Sequence, residues 1–537
     1  MGYSIAMEAI AGWVILQWGW RRALTALAAG ALSALAMPPF GVFPVLFATY
    51  PVLVWLIDGS LGDRGGRRGA MLSAAVAGWW FGLGFFVAGL WWIGEAFLVE
   101  AETFAWMMPF AVLGLPAFLA LFYALAAALA RLFWVSGPSR LLVFTAAFTL
   151  AEAARGILFT GFPWNLPGHA LAGSSALMQT ASLVGDGGLT ALALAIFASP
   201  AALAPAGGRR RILWPAAALL LLAAMAGFGV DRLQAPLAEA SPPFRIRIVQ
   251  PSIDQREKWR PENRNEVFST YLSLSDTASG PQSMSASDTD MIVWPESALP
   301  FLLQADSNAQ AAIAAMLPIG TRLATGLQRV EPRAGGGRDV YNSIVVIDDD
   351  GLAESVHDKV HLVPFGEFLP FQKTLEGIGL RQLTRIVGGF TAADGRTLVG
   401  AGTSSVPPAL PLICYEIAFS ADVARDAAGA AWILNVTNDA WFGRSTGPYQ
   451  HFLQARLRAV ELGIPVVRAA NTGISAFIGP RGRVLAALEL GERGIVDREL
   501  PAALPATFYR EHWRAIRWGV PFVTVLLGFL AFLVRKR

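Results

Sequence analysis

The segment LPLICYE, Leu410–Glu416, decides how this chain is read. Its first four residues are apolar without alternation, the pattern of a strand buried on both faces, as in a parallel sheet covered by helices. Such a strand delivers Cys414, Tyr415 and Glu416 to its end. In layered α/β folds, reactive side chains gather at strand ends and in the loops that follow. A lone cysteine is ordinarily a small, inert hydrophobe. At a strand end beside an acid it is placed as a nucleophile, provided a base takes its proton.

Working outward, FRIRIVQ (244–250), MIVWPE (291–296), LATGLQRV (323–330), NSIVVID (342–348), WILNVTN (432–438) and PVVRAAN (465–471) read as further strands. Helical stretches such as His451–Leu462 lie between some of them. Strands alternating with helices predict an α/β layered domain over 244–500. Two of its motifs complement the cysteine. In WPES, Trp294–Ser297, the strand must turn at Pro295 and leaves Glu296 at its end. The adjoining Trp and Pro make a partly apolar setting that favours a general base. By itself this Glu reads as a surface carboxylate. In HDKVHLVPFGEFLP, His357–Pro370, Lys359 precedes the mostly apolar stretch Val360–Phe365, with Glu367 beyond it. A lysine in a dry site stabilises a developing oxyanion; by itself it reads as a solvated lysine. His357 and His361 are four residues apart, but no third ligand or helical context accompanies them, so no metal is expected. Base, cation and thiol, each after its own strand, are what acyl transfer requires.

The rest of the 537 residues have a different composition. The chain is 54% hydrophobic and only 15% charged, against roughly 25% charged in soluble domains. A net charge of +3 does not point to nucleic acid, and a single cysteine excludes an internal disulfide. Apolar runs at 22–37, 41–58, 70–98, 105–131, 141–160, 178–203, 212–230 and 515–533 predict about eight membrane spans. Met1–Trp20, with Glu8, Trp13, Trp18 and Trp20, reads as an interfacial helix. The expected division is a helical bundle over 1–235, the α/β domain, and a C-terminal span with a basic tail over 515–537. Arg21, Arg22, Arg64, Arg67, Arg68, Arg131, Arg140, Arg209–Arg211 and Arg535–Arg537 all fall in alternate loops, which places that face in the cytoplasm. The α/β domain is then extracytoplasmic. Glu152, Arg155 and Asp186 interrupt the bundle, either as functional ions or as a local pair between Glu152 and Arg155.

Taken together, WPES, Lys359 and CYE resemble the nitrilase, or carbon–nitrogen hydrolase, superfamily. So do NDAWFG (Asn438–Gly443), QHFLQARLRAVELGIPVVRAANTG (Gln450–Gly473) and SAFIGPRGRV (Ser475–Val484), the last read as a strand pair. With the spans and the outer-loop GFPWN (Gly161–Asn165), the chain is similar to the apolipoprotein N-acyltransferases. That resemblance implies an αββα domain and no cofactor. It implies a ping-pong transfer from a phospholipid, phosphatidylethanolamine, through a Cys414 thioester to the α-amino group of a diacylated apolipoprotein in the bacterial inner membrane. Glu296 would be the base and Lys359 the oxyanion support. Glu367 and Glu416 would orient them, with Tyr415 beside the nucleophile. Trp259, Asn342 and Trp441 are expected at the lipid substrate. Phe368–Phe390, apolar and glycine-containing, is either a gate for lipid or ordinary packing. A membrane-tethered amidase acting on a small amide is the alternative. A transporter with a binding domain would leave the Glu, Lys and Cys set unexplained, and its expected internal repeat is not evident.

Overall fold

The computed structural model describes residues 2–60, 66–204, 209–236, 242–277, 284–333, 335–377, 382–384, 386, 388–400 and 406–534. The chain divides into two compact units. One comprises Met1–Gly94, Met107–Ala235 and Phe508–Arg537; the other comprises Glu95–Trp106 and Pro236–Thr507.

The first unit is helical. Among the described residues, Gly66–Leu98, Ala101–Leu132, Ala181–Leu203, Leu213–Gln234 and Phe508–Val534 are long and apolar enough to cross a membrane. The runs at 22–37, 41–58 and 141–160 hold shorter helices. Their α-helices, Gly19–Ser33, Leu46–Asp58 and Arg140–Arg155, have 15, 13 and 16 residues, about 20–24 Å at 1.5 Å per residue. Pro38, Pro39 and Pro44 lie between the first two, where a helix cannot continue. Phe508–Val534 leaves Phe522, Leu526 and Phe529 exposed, an apolar surface suited to lipid. Gly78 lets two helices touch, because a Cβ there would stand 2.5 Å from Tyr123 O. Glu152 and Arg155 form the local pair at 2.5 Å. Tyr123 Oη donates to Glu152 at 2.8 Å, and Arg155 Nη1 donates to Trp164 O at 3.0 Å. Asp186 lies 3.4 Å from His169 Nε2. Arg64 and Arg535–Arg537 lie outside the described residues.

The second unit is a two-sheet sandwich. Its strands are β1 (Arg245–Gln250), β2 (Met291–Val293), β3 (Arg322–Pro332), β4 (Arg338–Ile347), β5 (Ala353–Asp358), β6 (Ala409–Ile413), β7 (Trp432–Thr437), β8 (Val466–Ala470), β9 (Ser475–Ile478), β10 (Val484–Leu488) and β11 (Gly494–Glu499). One sheet runs β11-β1-β2-β3-β4-β5 and the other β10-β9-β8-β7-β6. Side chains alternate across each strand. Ile246, Ile248, Met291, Val293, Ile344 and Val346 meet Ile413, Leu434, Val436, Val467 and Phe477 between the sheets. The intervening Val249, Ile292, Trp294, Leu323 and Val345 pack outward on Val267, Tyr271, Ala309 and Ile313, which belong to helices Arg264–Asp276 and Ser307–Met316. Helix Gly447–Leu462 is the longest in this unit and supplies His451.

The site follows from strand direction. β1, β2 and β3 are parallel, and β4 and β5 reverse twice, so β5 again runs with β3. β6, β7 and β8 are parallel too. Glu296 lies just beyond β2, Lys359 just beyond β5, Cys414 just beyond β6 and Asn438 just beyond β7.

Candidate active site

Glu296 is held from two sides. Asn342 Nδ2 donates to its Oε1 at 2.7 Å, and the backbone N–H of Asn438 donates to its Oε2 at 2.8 Å. The approach needs Gly326 on the neighbouring strand: a Cβ there would stand 2.7 Å from Pro295 O and 2.8 Å from Ser297 N. Lys359 Nζ lies 2.8 Å from Glu367 Oε1 and 3.5 Å from Glu296 Oε1. The other Glu367 oxygen accepts from Val363 N at 2.8 Å, and its Oε1 also takes Asn342 Nδ2 at 3.0 Å. One lysine and one amide thus bridge two buried carboxylates. Burial works against the Lys359 ammonium, but Glu367, Glu296 and Cys414 outweigh it and raise its pKa above the ordinary lysine value.

Cys414 opens a 3-10 turn with φ of 53°, a left-handed backbone that disfavours any residue but glycine. The turn is over-determined. Asn435 Nδ2 donates to Leu412 O at 3.1 Å, and Ile413 N donates to Glu416 Oε2 at 2.8 Å. His451 Nε2 lies 3.1 Å from Cys414 O. His451 Nδ1 is 2.8 Å from Asp439 Oδ1, and Arg468 Nη2 donates to the other Asp439 oxygen at 2.7 Å. Burial would raise the Asp439 pKa, but Arg468 and His451 hold it well below the usual carboxylate range. The thiol behaves oppositely. Burial, then Glu296 and Asp439, push its pKa far up, with Lys359 and Thr437 opposing. A thiol in such a setting can act as a nucleophile only when a base takes its proton.

Glu416 is fully buried. Its Oε1 accepts from Val360 N at 2.9 Å, His361 N at 3.0 Å and Arg396 Nη2 at 2.5 Å. It ties the Cys414 turn to the loop that carries Lys359. Tyr415 packs its ring edge-on against Phe419 at 4.9 Å and against His361 at 5.8 Å. Of the three residues expected at lipid, Asn342 is buried with its amide N–H groups turned to Glu296 and Glu367. Trp259 is 39% exposed just past the turn Gln255–Lys258. Trp441 is half-buried in the 3-10 turn Asp439–Phe442. Residues 378–381, 385 and 387 of the Phe368–Phe390 segment lie outside the described residues; Phe371 is exposed.

Sequence reasoning did not single out Gln255, Asn438, Asp439, His451 and Arg468 as individual site residues, although all but Gln255 lie in the motifs quoted for their resemblance. A usable signal was Arg468, a charge within the apolar strand PVVRAAN.

Fold and site together define a carbon–nitrogen hydrolase domain joined to an apolar helical one. Residues 245–507 match the carbon-nitrogen hydrolase family, and residues 29–199 match the apolipoprotein N-acyltransferase N-terminal domain. The chain is 51% identical to an apolipoprotein N-acyltransferase of Rhodopseudomonas palustris, over 99% of this chain and 98% of that one. It is 52% identical to that of Bradyrhizobium diazoefficiens over 92% of each. With that of Agrobacterium fabrum it shares 47% over 97% and 98%. The chain belongs to the apolipoprotein N-acyltransferase family, a group of acyltransferases within the carbon–nitrogen hydrolase superfamily. The amidase alternative draws no better support from these matches.

Proposed function

We propose that the chain moves a fatty acyl group from a phospholipid, phosphatidylethanolamine, to the α-amino group of a diacylglyceryl-cysteine at a lipoprotein N-terminus. The observation that carries the reading is the Glu296, Asn342, Lys359 and Glu367 network electrostatically coupled to the buried Cys414 thiol. Glu296 takes the thiol proton, and the thiolate attacks the ester carbonyl. Lys359, kept charged by its carboxylates, balances the tetrahedral oxyanion. The oxyanion collapses, and the lysophospholipid leaves with the proton returned by Glu296. The acceptor amine, as the free base, then attacks the thioester, loses its proton to Glu296 and regenerates the thiol. Glu367 holds Lys359, and Glu416 holds the loop that carries it.

Both substrates carry acyl chains, and moving a chain into water costs about 0.8 kcal/mol per methylene. That cost favours a site fed from the bilayer, and hence the division into a bundle over 1–235, a catalytic domain over 244–500 and a last span over 515–537. Hydropathy supports about eight spans in the cytoplasmic membrane, and the arginine parity supports a catalytic domain on its outer face. Trp259, Trp441 and the Phe368–Phe390 segment are the proposed lipid contacts.

The test is mass spectrometry of purified protein incubated with phosphatidylethanolamine vesicles. A fatty-acyl adduct on Cys414 is expected, absent in Cys414→Ser. Near wild-type N-acylation of a diacylated peptide by the folded Cys414→Ser variant would sink the mechanism.

A further inference from the structure

Lys258 is fully buried, and its ammonium has no hydrogen-bond partner among the described residues. An unpaired buried cation is destabilising unless something nearby requires its charge. Its position shows what that is. Lys258 ends the one-turn helix Gln255–Lys258. In the same turn, Gln255 Oε1 accepts from Asn438 Nδ2 at 2.9 Å. The backbone N–H of that same Asn438 holds Glu296 Oε2 at 2.8 Å. Just ahead of the turn, Ile253 exchanges two hydrogen bonds with Asn471, at 3.0 and 2.8 Å, and Asn471 Nδ2 also reaches Asn438 Oδ1 at 3.2 Å. The Lys258 backbone is thus fastened to the strand ends that carry the Oε2 side of Glu296, whereas Asn342 and Lys359 serve its Oε1 side.

We propose that Lys258 is a positioning residue of the reaction: its ammonium is the second counter-charge of the carboxylate cluster, acting through Glu296 to keep that group ready to accept the Cys414 proton. Charge counting supports this. Glu296 and Glu367 share Lys359 as their one ion-pair partner, so two buried carboxyl groups lean on one ammonium, and Lys258 is the further cation that acts on Glu296. The groups around Glu296 are Lys359 and Glu367 from the segment after β5, and Cys414 after β6; Asp439, after β7, acts on Cys414. Of these, only Lys359 is cationic. Trp259 lies 6.0 Å from Nζ to its ring centroid, and Glu296 is the carboxylate close enough to act on Lys258 electrostatically. Burial lowers the Lys258 pKa to about 7 while Glu296 works to raise it, so the charge is available on the acidic side of neutrality. That is where a base most needs help to stay unprotonated.

This inference rests on Glu296 being the base for Cys414, and the test separates the two. Cys414 is the single thiol in the chain, so iodoacetamide alkylation read by mass spectrometry reports one site. The full-length protein in detergent is labelled across the acid-to-neutral range as wild type, Lys258→Met and Lys258→Arg. Lys258→Met is expected to move the acid limb of the labelling profile up by about one pH unit, roughly tenfold slower labelling on that limb. Lys258→Arg keeps the charge and should keep the limb in place. Should Lys258→Met fail a thermal-unfolding check, Lys258→Gln, polar and nearly as long, gives the same reading. A neutral variant whose profile is lower but unshifted in pH would overturn the proposal and leave Lys258 a packing residue. Parallel acyl-adduct formation from phosphatidylethanolamine keeps the outcomes apart. Failure of the wild type to form the adduct counts against the transferase reading, while the labelling limb still decides Lys258.

Discussion

Replacing Gly326 by alanine changes one methyl group and touches none of the proposed catalytic side chains, yet it should nearly silence the enzyme. Gly326 lies within β3, paired with Ile344 on β4, and does not have a positive φ, so alanine suits its backbone. Space is the objection. The new Cβ would stand 2.7 Å from Pro295 O and 2.8 Å from Ser297 N, with Glu296 Cα nearer still. Ordinary contact begins near 3.4 Å, a shortfall of about 0.7 Å at Pro295 O. All three obstacles are backbone atoms, so no side chain can swing aside. The segment carrying Glu296 must retreat, lengthening the 2.8 Å bond from Asn438 N and the 2.7 Å bond from Asn342. Overpacking of this kind destabilises by about 1–3 kcal/mol. A displacement approaching 1 Å in a reacting group slows chemistry by on the order of 10²-fold. The assay is the rate of acyl-adduct formation on Cys414, with apparent Tm as the folding control. Activity should fall by about 10²-fold in protein that the Tm control shows to be still folded. Adduct formation within a few-fold of wild type would refute the claim that Gly326 sets the position of Glu296.

Lys359→Ala should lose adduct formation by about 10²–10³-fold, if it acts like one oxyanion donor, while Glu296→Gln should depress iodoacetamide labelling more strongly than Lys359→Ala does. The reverse order of labelling rates would make thiolate stabilisation the lysine's main role. Glu416→Gln should lower apparent Tm at neutral pH, since breaking a buried pair destabilises by about 3–5 kcal/mol. Although burial opposes it, Arg396, His357 and backbone N–H groups hold the Glu416 pKa below its ordinary value. Its stabilisation is therefore present above the unfolded carboxylate pKa and lost as pH falls through the folded one, so the gap between variant and wild type should close in acid. A gap unchanged by acid would count against an ionised Glu416. Reporter fusions after Arg68 or Arg211 should score cytoplasmic, and one near Gly400 extracytoplasmic; a cytoplasmic Gly400 would invert the topology.

What could be read in advance depended on how each part of the molecule writes itself into the chain. Glu296, Lys359 and Cys414 could be found because β2 and β6 are continuous apolar runs that end in a reactive residue, and Lys359 adjoins an apolar stretch of its own. Strands β5, AESVHD, and β11, GIVDRE, escaped notice because Glu354, His357 and Asp358 in one, and Asp497, Arg498 and Glu499 in the other, break the hydrophobic period. Both lie at sheet edges, which tolerate polar residues, although β6, also at an edge, stays apolar. Hydropathy found the apolar runs at 22–37, 41–58 and 141–160 but not how far a helix extends through them. Glu416 was expected to orient its neighbours, but the groups that it and Asn438 hold were hidden for a deeper reason. Glu416 acts on the backbone N–H groups of Ile413, Val360 and His361, and Asn438 acts on Glu296 through its own N–H. Every residue except proline carries that donor, so no pattern of side chains marks which ones are used. Lys258 sits in QREK, just before Trp259, where nothing in the sequence marks its charge for burial. The fold closes Gln255 onto Asn438 and buries the Lys258 ammonium. A side chain's candidacy as nucleophile or base can be read from its type and its place at a strand end. Its role as a counter-charge depends on which loops the topology brings together, and that is settled at the level of strand order and hydrogen bonding.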